Sequence, residues 1–465
     1  MNVFYYGFLM PRQLMHPGRN SPSQESHPSP PLRVTCTVMQ RVTYAVMLSG
    51  VDAYKWTADY FCHDSSIHRF PKHIIIFRVH PFIIVFMLLL LASSWLAGQS
   101  APEASKDKQY LQLIDVTASA GLNFRHTHGG SGERYYVETM GSGCAFWDYD
   151  NDGDLDIYLI NGAPLPGFTA EILPTNKLFQ NQGDGTFKDA TERSGLGDKN
   201  YGIGCAVADY DNDGDSDIYL TNYGANTLYR NNGDGTFSDV TKQAGVGDEK
   251  WGASAAFFDY NNDGALDLYV VNYVDFTFEN HIQCGQKDIR AYCHPDVYNG
   301  VPDILYKNNG DGTFTDVTGQ AGLLNSEPGK GLGIVCADYD NDGDADIYVA
   351  NDKTANFLYQ NNGDGTFTDV SLISGTGYNE DGIMEAGMGV DVGDYDNNGY
   401  LDIFVTNFSN ETNTLYRNDG NGFFTDATYL SGLGISSLLF LGFGTNFFDI
   451  DLDGDLDIYA ANGHV

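Results

Sequence analysis

Positive charge is scarce in this chain. Twenty-five Lys and Arg stand against 62 Asp and Glu over 465 residues, a formal charge of −37. The deficit is uneven: the first 104 residues hold 8 basic and 5 acidic residues, so the remainder carries 25 − 8 = 17 against 62 − 5 = 57, or −40. So acidic a body repels phosphate backbones and anionic membrane surfaces, which disfavours nucleic-acid binding and leaves cations or basic partners as counterparts. Catalytic signatures are missing as well, with no nucleophile elbow, no HExxH and no Walker-type loop. Cysteine is sparse, and its seven residues are consistent with an oxidising compartment without demanding one.

What the chain does have is repetition. DYDNDGDLDIYL (148–159) packs five aspartates into nine residues and then turns into an apolar, β-prone run. Close copies start at Asp209, Asp259, Asp338, Asp394 and Asp449, at intervals of 61, 50, 79, 56 and 55 residues. Repeats of this size signal propellers or solenoids. In the second copy GIGCAVADY leads into the acidic loop and DIYLTNY leaves it; NTLYRN then meets the turn NGDG, and TFSDVT closes the unit. Short alternating runs bounded by Gly, Asn and Asp are strand and hairpin signals. The expected fold is all-β: a propeller of four-stranded antiparallel blades, about six of them present. Aromatics at 13% and 54 glycines suit short strands joined by tight turns.

The acidic loops suggest a metal. Numbered from the first aspartate, oxygen-bearing side chains recur at positions 1, 3, 5 and 9. They are Asp148, Asp150, Asp152 and Asp156; Asp209, Asp211, Asp213 and Asp217; then Asp259, Asn261, Asp263 and Asp267. The later copies give Asp338, Asp340, Asp342 and Asp346; Asp394, Asp396, Asn398 and Asp402; and Asp449, Asp451, Asp453 and Asp457. Position 6 is always Gly, as a sharp turn needs. A hard cation such as Ca²⁺ takes six to eight oxygens in flexible geometry, and this spacing wraps alternate carboxylates about one centre. Position 7 holds Asp154, Asp215, Ala265, Asp344, Tyr400 and Asp455, so a ligand there has to be the backbone carbonyl.

An EF-hand is excluded, because its position 12 needs Glu and these loops place Leu159, Leu220, Val270, Val349, Val405 and Ala460 there. The competing reading, ordinary Asp/Asn/Gly turns, weakens with six parallel copies. The recurrent NGDGTF segments read as hairpin turns. The third and fifth loops each lose one carboxylate, at Asn261 and Asn398, and are expected to bind more weakly.

The N-terminal region differs from the rest. Residues 1–72 carry no repeat, and PGRNSPSQESHPSPP (17–31) reads as an unstructured or spurious extension. Residues 73–104 hold a basic flank, the apolar run PFIIVFMLLLLASSWLAG and a small-residue exit, the makings of a secretory signal. An over-extended start, with translation beginning at Met39 or Met47, explains its distance from Met1. The alternative is a signal anchor, since the apolar segment approaches the roughly 20 residues that span a bilayer. Either places the propeller, residues 105–465, outside the cytoplasm.

Smaller signals complete the picture. Cys284 and Cys293 flank a segment inside the longest repeat, and a disulfide pinning that insertion is expected. The insertion itself, 273–302, breaks the period and carries aromatics, so it is either a partner-contact loop or a stapled decoration. Cys144, Cys205 and Cys336 sit in strands before acidic loops and read as core. His126 and His128 in RHTHGG would share one face of a strand, as a transition-metal pair or, more simply, as structural residues lacking a third ligand. NFS at Asn407 and NET at Asn410 are sequons just after a strand, where exposure is plausible.

DxDxDGxxD loops flanked by GxGxxxxDYD and LYxNNGDGTFxDVTxxAG segments resemble FG-GAP/VCBS repeats, the units of propellers like those of integrin α-subunits. The order of CGQKDIRAYCHPDVYNGVPDILYKNN, GKGLGIVCADYDNDGDADIYVAND, EAGMGVDVGDYDNNGYLDIF and the closing DIYAANGHV is similar, more narrowly, to the cartilage acidic protein (ASPIC/UnbV) family. The resemblance covers roughly residues 113–465. It implies an extracellular or periplasmic propeller carrying Ca²⁺ at the loop residues named above, about six ions. Members of the family usually continue into another blade and an ASPIC/UnbV region, so this chain reads as a seven-bladed ring cut short. The expected function is a secreted interaction or adhesion scaffold for a protein or glycan partner, with calcium as staple or as regulator. A calcium-dependent lyase or hydrolase with an unidentified site is the alternative.

Overall fold

Each repeat folds as its alternation requires. The computed structural model describes residues 113–286 and 289–463, so the extension and the apolar segment read as a signal lie outside the described residues. The first sheet is built from β1 (Cys144–Trp147), β2 (Asp156–Leu159), β3 (Lys177–Asn181) and β4 (Phe187–Asp189), paired antiparallel in chain order. The second follows the same plan with β5 (Tyr201–Ala208), β6 (Asp217–Tyr223), β7 (Thr227–Asn231) and β8 (Phe237–Asp239). Three more four-stranded sheets begin at Gly252, Gly331 and Val390, and a two-stranded sheet pairs Leu441–Phe448 with Asp457–Gly463. Among the described residues that gives five full blades and one pair of strands.

The first strands meet at the centre, and glycine lets them approach. A Cβ on Gly204 would lie 2.7 Å from the Ala253 carbonyl oxygen of the next sheet, and one on Gly333 would lie 2.3 Å from that of Met388. Between blades, apolar faces interlock: Trp147, Tyr158 and Leu178 of the first sheet are buried with Ile218, Leu220 and Phe237 of the second. The sixth sheet lies beside the first, because Ala461 is buried in one cluster with Cys144, Phe146 and Phe187. Ala120 and Leu122 join that cluster, and the Ala120 carbonyl accepts the Phe187 N–H. The tail of the third sheet makes the same contact with the fourth, Ala321 O accepting from Phe367 N.

Every second strand starts at the last aspartate of an acidic loop and runs toward the opposite edge of its sheet, as Asp267–Asn272 does. The insertion leaves from that edge, so it lies on the face away from the acidic loops. Cys284 and Cys293 are joined in a disulfide across its small hairpin, Cys284–Gln286 with Ile289–Ala291. Its aromatics turn inward. Tyr273, Phe276 and Tyr298 are buried with Tyr136 and Trp251 in a cluster that gathers Ile203, Ala253, Leu332, Met388 and Phe443 from five successive sheets. Tyr136 and Tyr273 share a hydrogen bond of 2.7 Å, and the Tyr273 hydroxyl donates to the buried Asp352 carboxylate. The insertion thus plugs the axis with its aromatic part and exposes its hairpin, where Ile289 is 70% accessible.

Candidate metal centre

The acidic loops are the connections between the first and second strands, and all six share one hydrogen-bond scheme. Asp148 at position 1 accepts the N–H groups of Asp152 (3.0 Å) and Gly153 (2.8 Å), which folds the loop back on itself. The same pair of bonds forms at Asp209, Asp259, Asp338, Asp394 and Asp449. Gly153 at position 6 has φ +93°, a conformation that only glycine adopts without strain. Position 5 turns one oxygen toward the position 7 N–H, Asp152 accepting from Asp154 at 3.0 Å.

Position 9 is the buried anchor. Asp156, Asp217, Asp267 and Asp402 are fully inaccessible and Asp346 nearly so. Asp156 accepts the Tyr149 N–H (3.1 Å) with one oxygen and the Asn181 N–H (2.7 Å) with the other. The second bond comes from the end of the third strand and recurs as Asn231 to Asp217, Asn308 to Asp267, Asn361 to Asp346 and Asn418 to Asp402. Asp457 of the sixth loop is exposed instead, and accepts the Ile450 N–H at 3.0 Å.

Four loops bring the carboxylates of positions 1, 3 and 9 within 4.8 Å of one another: Asp148, Asp150 and Asp156; Asp209, Asp211 and Asp217; Asp338, Asp340 and Asp346; Asp394, Asp396 and Asp402. The sixth loop groups Asp449, Asp451 and Asp453. The third has Asn261 at position 3 and so lacks that carboxylate, keeping Asp259, Asp263 and Asp267.

The charges in these groups are compensated only in part, by Arg193 at 3.7 Å from Asp150 and Lys307 at 3.3 Å from Asp263. Burial, with neighbouring carboxylates adding to it, pushes the Asp156, Asp217 and Asp346 carboxyls up to about 8. It pushes Asp267 to about 7 and Asp402 to about 6. Asp150, Asp211 and Asp340 are raised by the same causes. Each of those three also keeps one buried oxygen, Oδ1, without a hydrogen-bond partner. Buried oxygens left unpaired beside acids held above their ordinary range are what a cation removes, so the donor set fits a hard divalent ion.

Two sets of asparagines belong to this scheme and were not picked out as functional residues from the sequence. One ends the third strand, where Asn181 and its counterparts fix position 9; the segment LYxNNGDGTF reads as a turn, although an Asn stands at that place in all five complete blades. The other is position 4, Asn151, Asn212, Asn262, Asn341 and Asn397, each with φ between 56° and 61°. The NGDGTF turns close on themselves, Asp234 accepting both the N–H and the hydroxyl of Thr236.

Other sequence candidates fall elsewhere. Residues 122–130 form no strand, because the Thr127 N–H goes to the Asn161 side chain rather than to a ladder. His126 is buried, hydrogen-bonded to Ser142 Oγ at 2.8 Å and pushed down to about 4 by burial, while His128 lies 3.6 Å from Glu138. The two therefore serve separate contacts and form no metal pair. Asn407 is also not a surface residue: it is 1% accessible and its amide donates to Glu385, Thr412 and Thr414. Asn410 is exposed. Cys144 and Cys205 are buried free thiols and Cys336 is half-buried.

Sheets of this plan, each with an acidic loop between its first two strands, define a β-propeller repeat protein. The chain belongs to the FG-GAP-like repeat family, whose model matches residues 148–220, 209–270, 294–349, 338–405 and 394–460. A stretch of 109 residues, 23% of the chain, is 29% identical to cartilage acidic protein 1 of Xenopus tropicalis and covers 16% of that protein's length. Among solved structures, a lectin of Agrocybe aegerita that recognises non-reducing terminal N-acetylglucosamine shares 19% identity, with 69% of this chain and 75% of that one covered and a TM-score of 0.39. The rhamnogalacturonan lyase YesW shares 14%, covering 69% and 55%, at a TM-score of 0.36. Among the described residues no helix is long and apolar enough to cross a membrane.

Proposed function

We propose that the acidic loops bind Ca²⁺, one ion per loop, and that the protein is an extracytoplasmic interaction scaffold of the cartilage acidic protein (ASPIC/UnbV) kind. The observation that carries the metal assignment is the unpaired buried oxygen at position 3, in Asp150, Asp211 and Asp340, beside a fully buried position 9 carboxylate. Positions 1, 3 and 9 would hold the ion through their side chains, position 5 through its outer oxygen and position 7 through its carbonyl. When bound, calcium supplies the positive charge that these loops lack and ties both strands of the hairpin to one centre.

The scaffold role rests on three features: a disulfide in the insertion, a body charge that favours cationic partners, and an exposed hairpin on the face away from the metal loops. Its contact surface would be that hairpin, around Ile282 and Ile289, rather than the insertion's buried aromatics. The partner would be a protein or glycan outside the cytoplasm. Calorimetric titration of the chelator-stripped protein with Ca²⁺ tests the metal assignment. Saturable uptake of one ion per intact loop supports it, and absence of heat and of uptake by equilibrium dialysis would return the loops to ordinary turns.

A further inference from the structure

The position 4 asparagines reach out of their own loops. Asn151 donates its amide to Asp215 Oδ1 in the next loop at 2.7 Å, Asn262 to Asp344 Oδ1 at 2.5 Å and Asn397 to Asp455 Oδ1 at 3.3 Å. Each acceptor stands at position 7. Where position 7 of the next loop is Ala265 or Tyr400, the amide falls back on the position 6 carbonyl: Asn212 on Gly264 O at 3.4 Å and Asn341 on Gly399 O at 3.2 Å. The residue type at position 7 therefore sorts the five joints into two kinds. Charged joints link loops one to two, three to four and five to six; neutral joints lie between those pairs.

A second link runs beneath the first. Asn231, whose N–H holds Asp217 of the second loop, donates its side chain to the Tyr149 carbonyl of the first loop at 3.0 Å, and the Tyr149 N–H in turn holds Asp156. The anchors of adjacent loops are thus joined by one continuous chain of hydrogen bonds. The same chain forms through Asn308 and Tyr210, Asn361 and Tyr260, and Asn418 and Tyr339. It is common to four joints, so it does not distinguish them; the position 4 bond does.

We infer that the position 4 asparagines are positioning residues for the neighbouring loop's metal, and that the loops fill in pairs across the charged joints, an inference that rests on the calcium assignment above. An ion in loop one fixes Asn151, Asn151 fixes the side chain of Asp215, and the Asp215 carbonyl then stands ready to join the ion of loop two. Ordering already spent on the first site is not spent again on the second, which makes binding positively cooperative. Couplings of this kind tighten the second site by about 5- to 150-fold. The position 7 carboxylate, on this account, serves the neighbour's amide and leaves only its carbonyl for the metal. Position 7 can then be Ala or Tyr without losing a ligand, at the cost of coupling alone.

The test uses glycine, which keeps the positive φ of position 4 and removes only the amide. Calcium titration of the full chain, followed by calorimetry and by equilibrium dialysis, should give a Hill slope above one for the unaltered protein. The triple variant Asn151→Gly, Asn262→Gly, Asn397→Gly should keep the stoichiometry and lose the slope, with its half-saturation moved at least about fivefold upward. The double variant Asn212→Gly, Asn341→Gly should keep slope and stoichiometry both. A slope of one in the unaltered protein, or equal effects of the two variants, would overturn the pairing while leaving the calcium assignment in place. A failure of every form to bind calcium would overturn the assignment itself.

Discussion

At the scale of single residues, the position 9 aspartate is where folding and metal binding meet. Its carboxylate is buried between two backbone N–H groups, yet burial holds Asp156, Asp217 and Asp346 near 8, far above the roughly 3.9 of an unfolded aspartate. The folded, metal-free protein therefore binds protons more tightly than the unfolded chain between about pH 4 and pH 8. Stability must fall as pH rises through that window. We predict that chelator-treated protein melts at progressively lower temperature from pH 5 to pH 8, and that saturating calcium flattens or reverses the trend; a calcium-free profile rising with pH would contradict the assignment of these acids. The third-strand asparagine gives a second prediction. Asn231→Ala strands the buried Tyr149 carbonyl and should cost about 1–3 kcal/mol in denaturant unfolding, whereas Asn232→Ala, in the exposed turn, should cost little.

At the scale of elements, the four strands of each blade and the hairpin placement of the acidic loops were legible in the sequence, because period-two alternation and glycine-rich turns have local causes. The tie between the third strand and position 9 was not, since Asn181 and its counterparts look like turn residues until the hairpin stands beside the loop. The insertion was half legible. Its cysteines announced the disulfide, but a run such as YVDFTFEN does not say whether its aromatics face a partner or the axis, and only assembly of the ring shows Tyr273 and Phe276 buried. Likewise the HxH segment alternates like a strand but has no partner edge, and Asn407 follows a strand yet points inward.

Two predictions belong at this scale. Gly204→Ala places a Cβ against the Ala253 carbonyl and should destabilise by about 1–3 kcal/mol through displacement of the central strands, read as a lower midpoint with unchanged slope. The pairs that contain the loops bearing Asn261 and Asn398 should fill after the pair formed by loops one and two, and Asn261→Asp should tighten the third loop; uniform affinities would contradict the charge argument.

At the scale of the whole molecule, one set of the contacts that join the blades passes close to the acidic loops. The tyrosine at position 2 packs against the fourth-strand phenylalanine of the next sheet, Tyr149 on Phe237, Tyr210 on Phe314, Tyr260 on Phe367 and Tyr339 on Phe424. Its backbone is hydrogen-bonded to position 9 on one side and to the neighbouring blade's asparagine on the other. A metal in the loop therefore steadies an interface between blades as well as a hairpin, and the ring's net charge of about forty negatives makes that compensation larger than any single site suggests. The most direct measurement is thermal unfolding of the purified chain with excess calcium and with chelator, at one pH and one ionic strength. The account predicts a large rise in melting temperature with calcium, since each site at a hundredfold its dissociation constant adds about 2.7 kcal/mol, and predicts that Asp156→Asn and Asp217→Asn each remove part of the rise. Melting curves that coincide with and without the ion would contradict it.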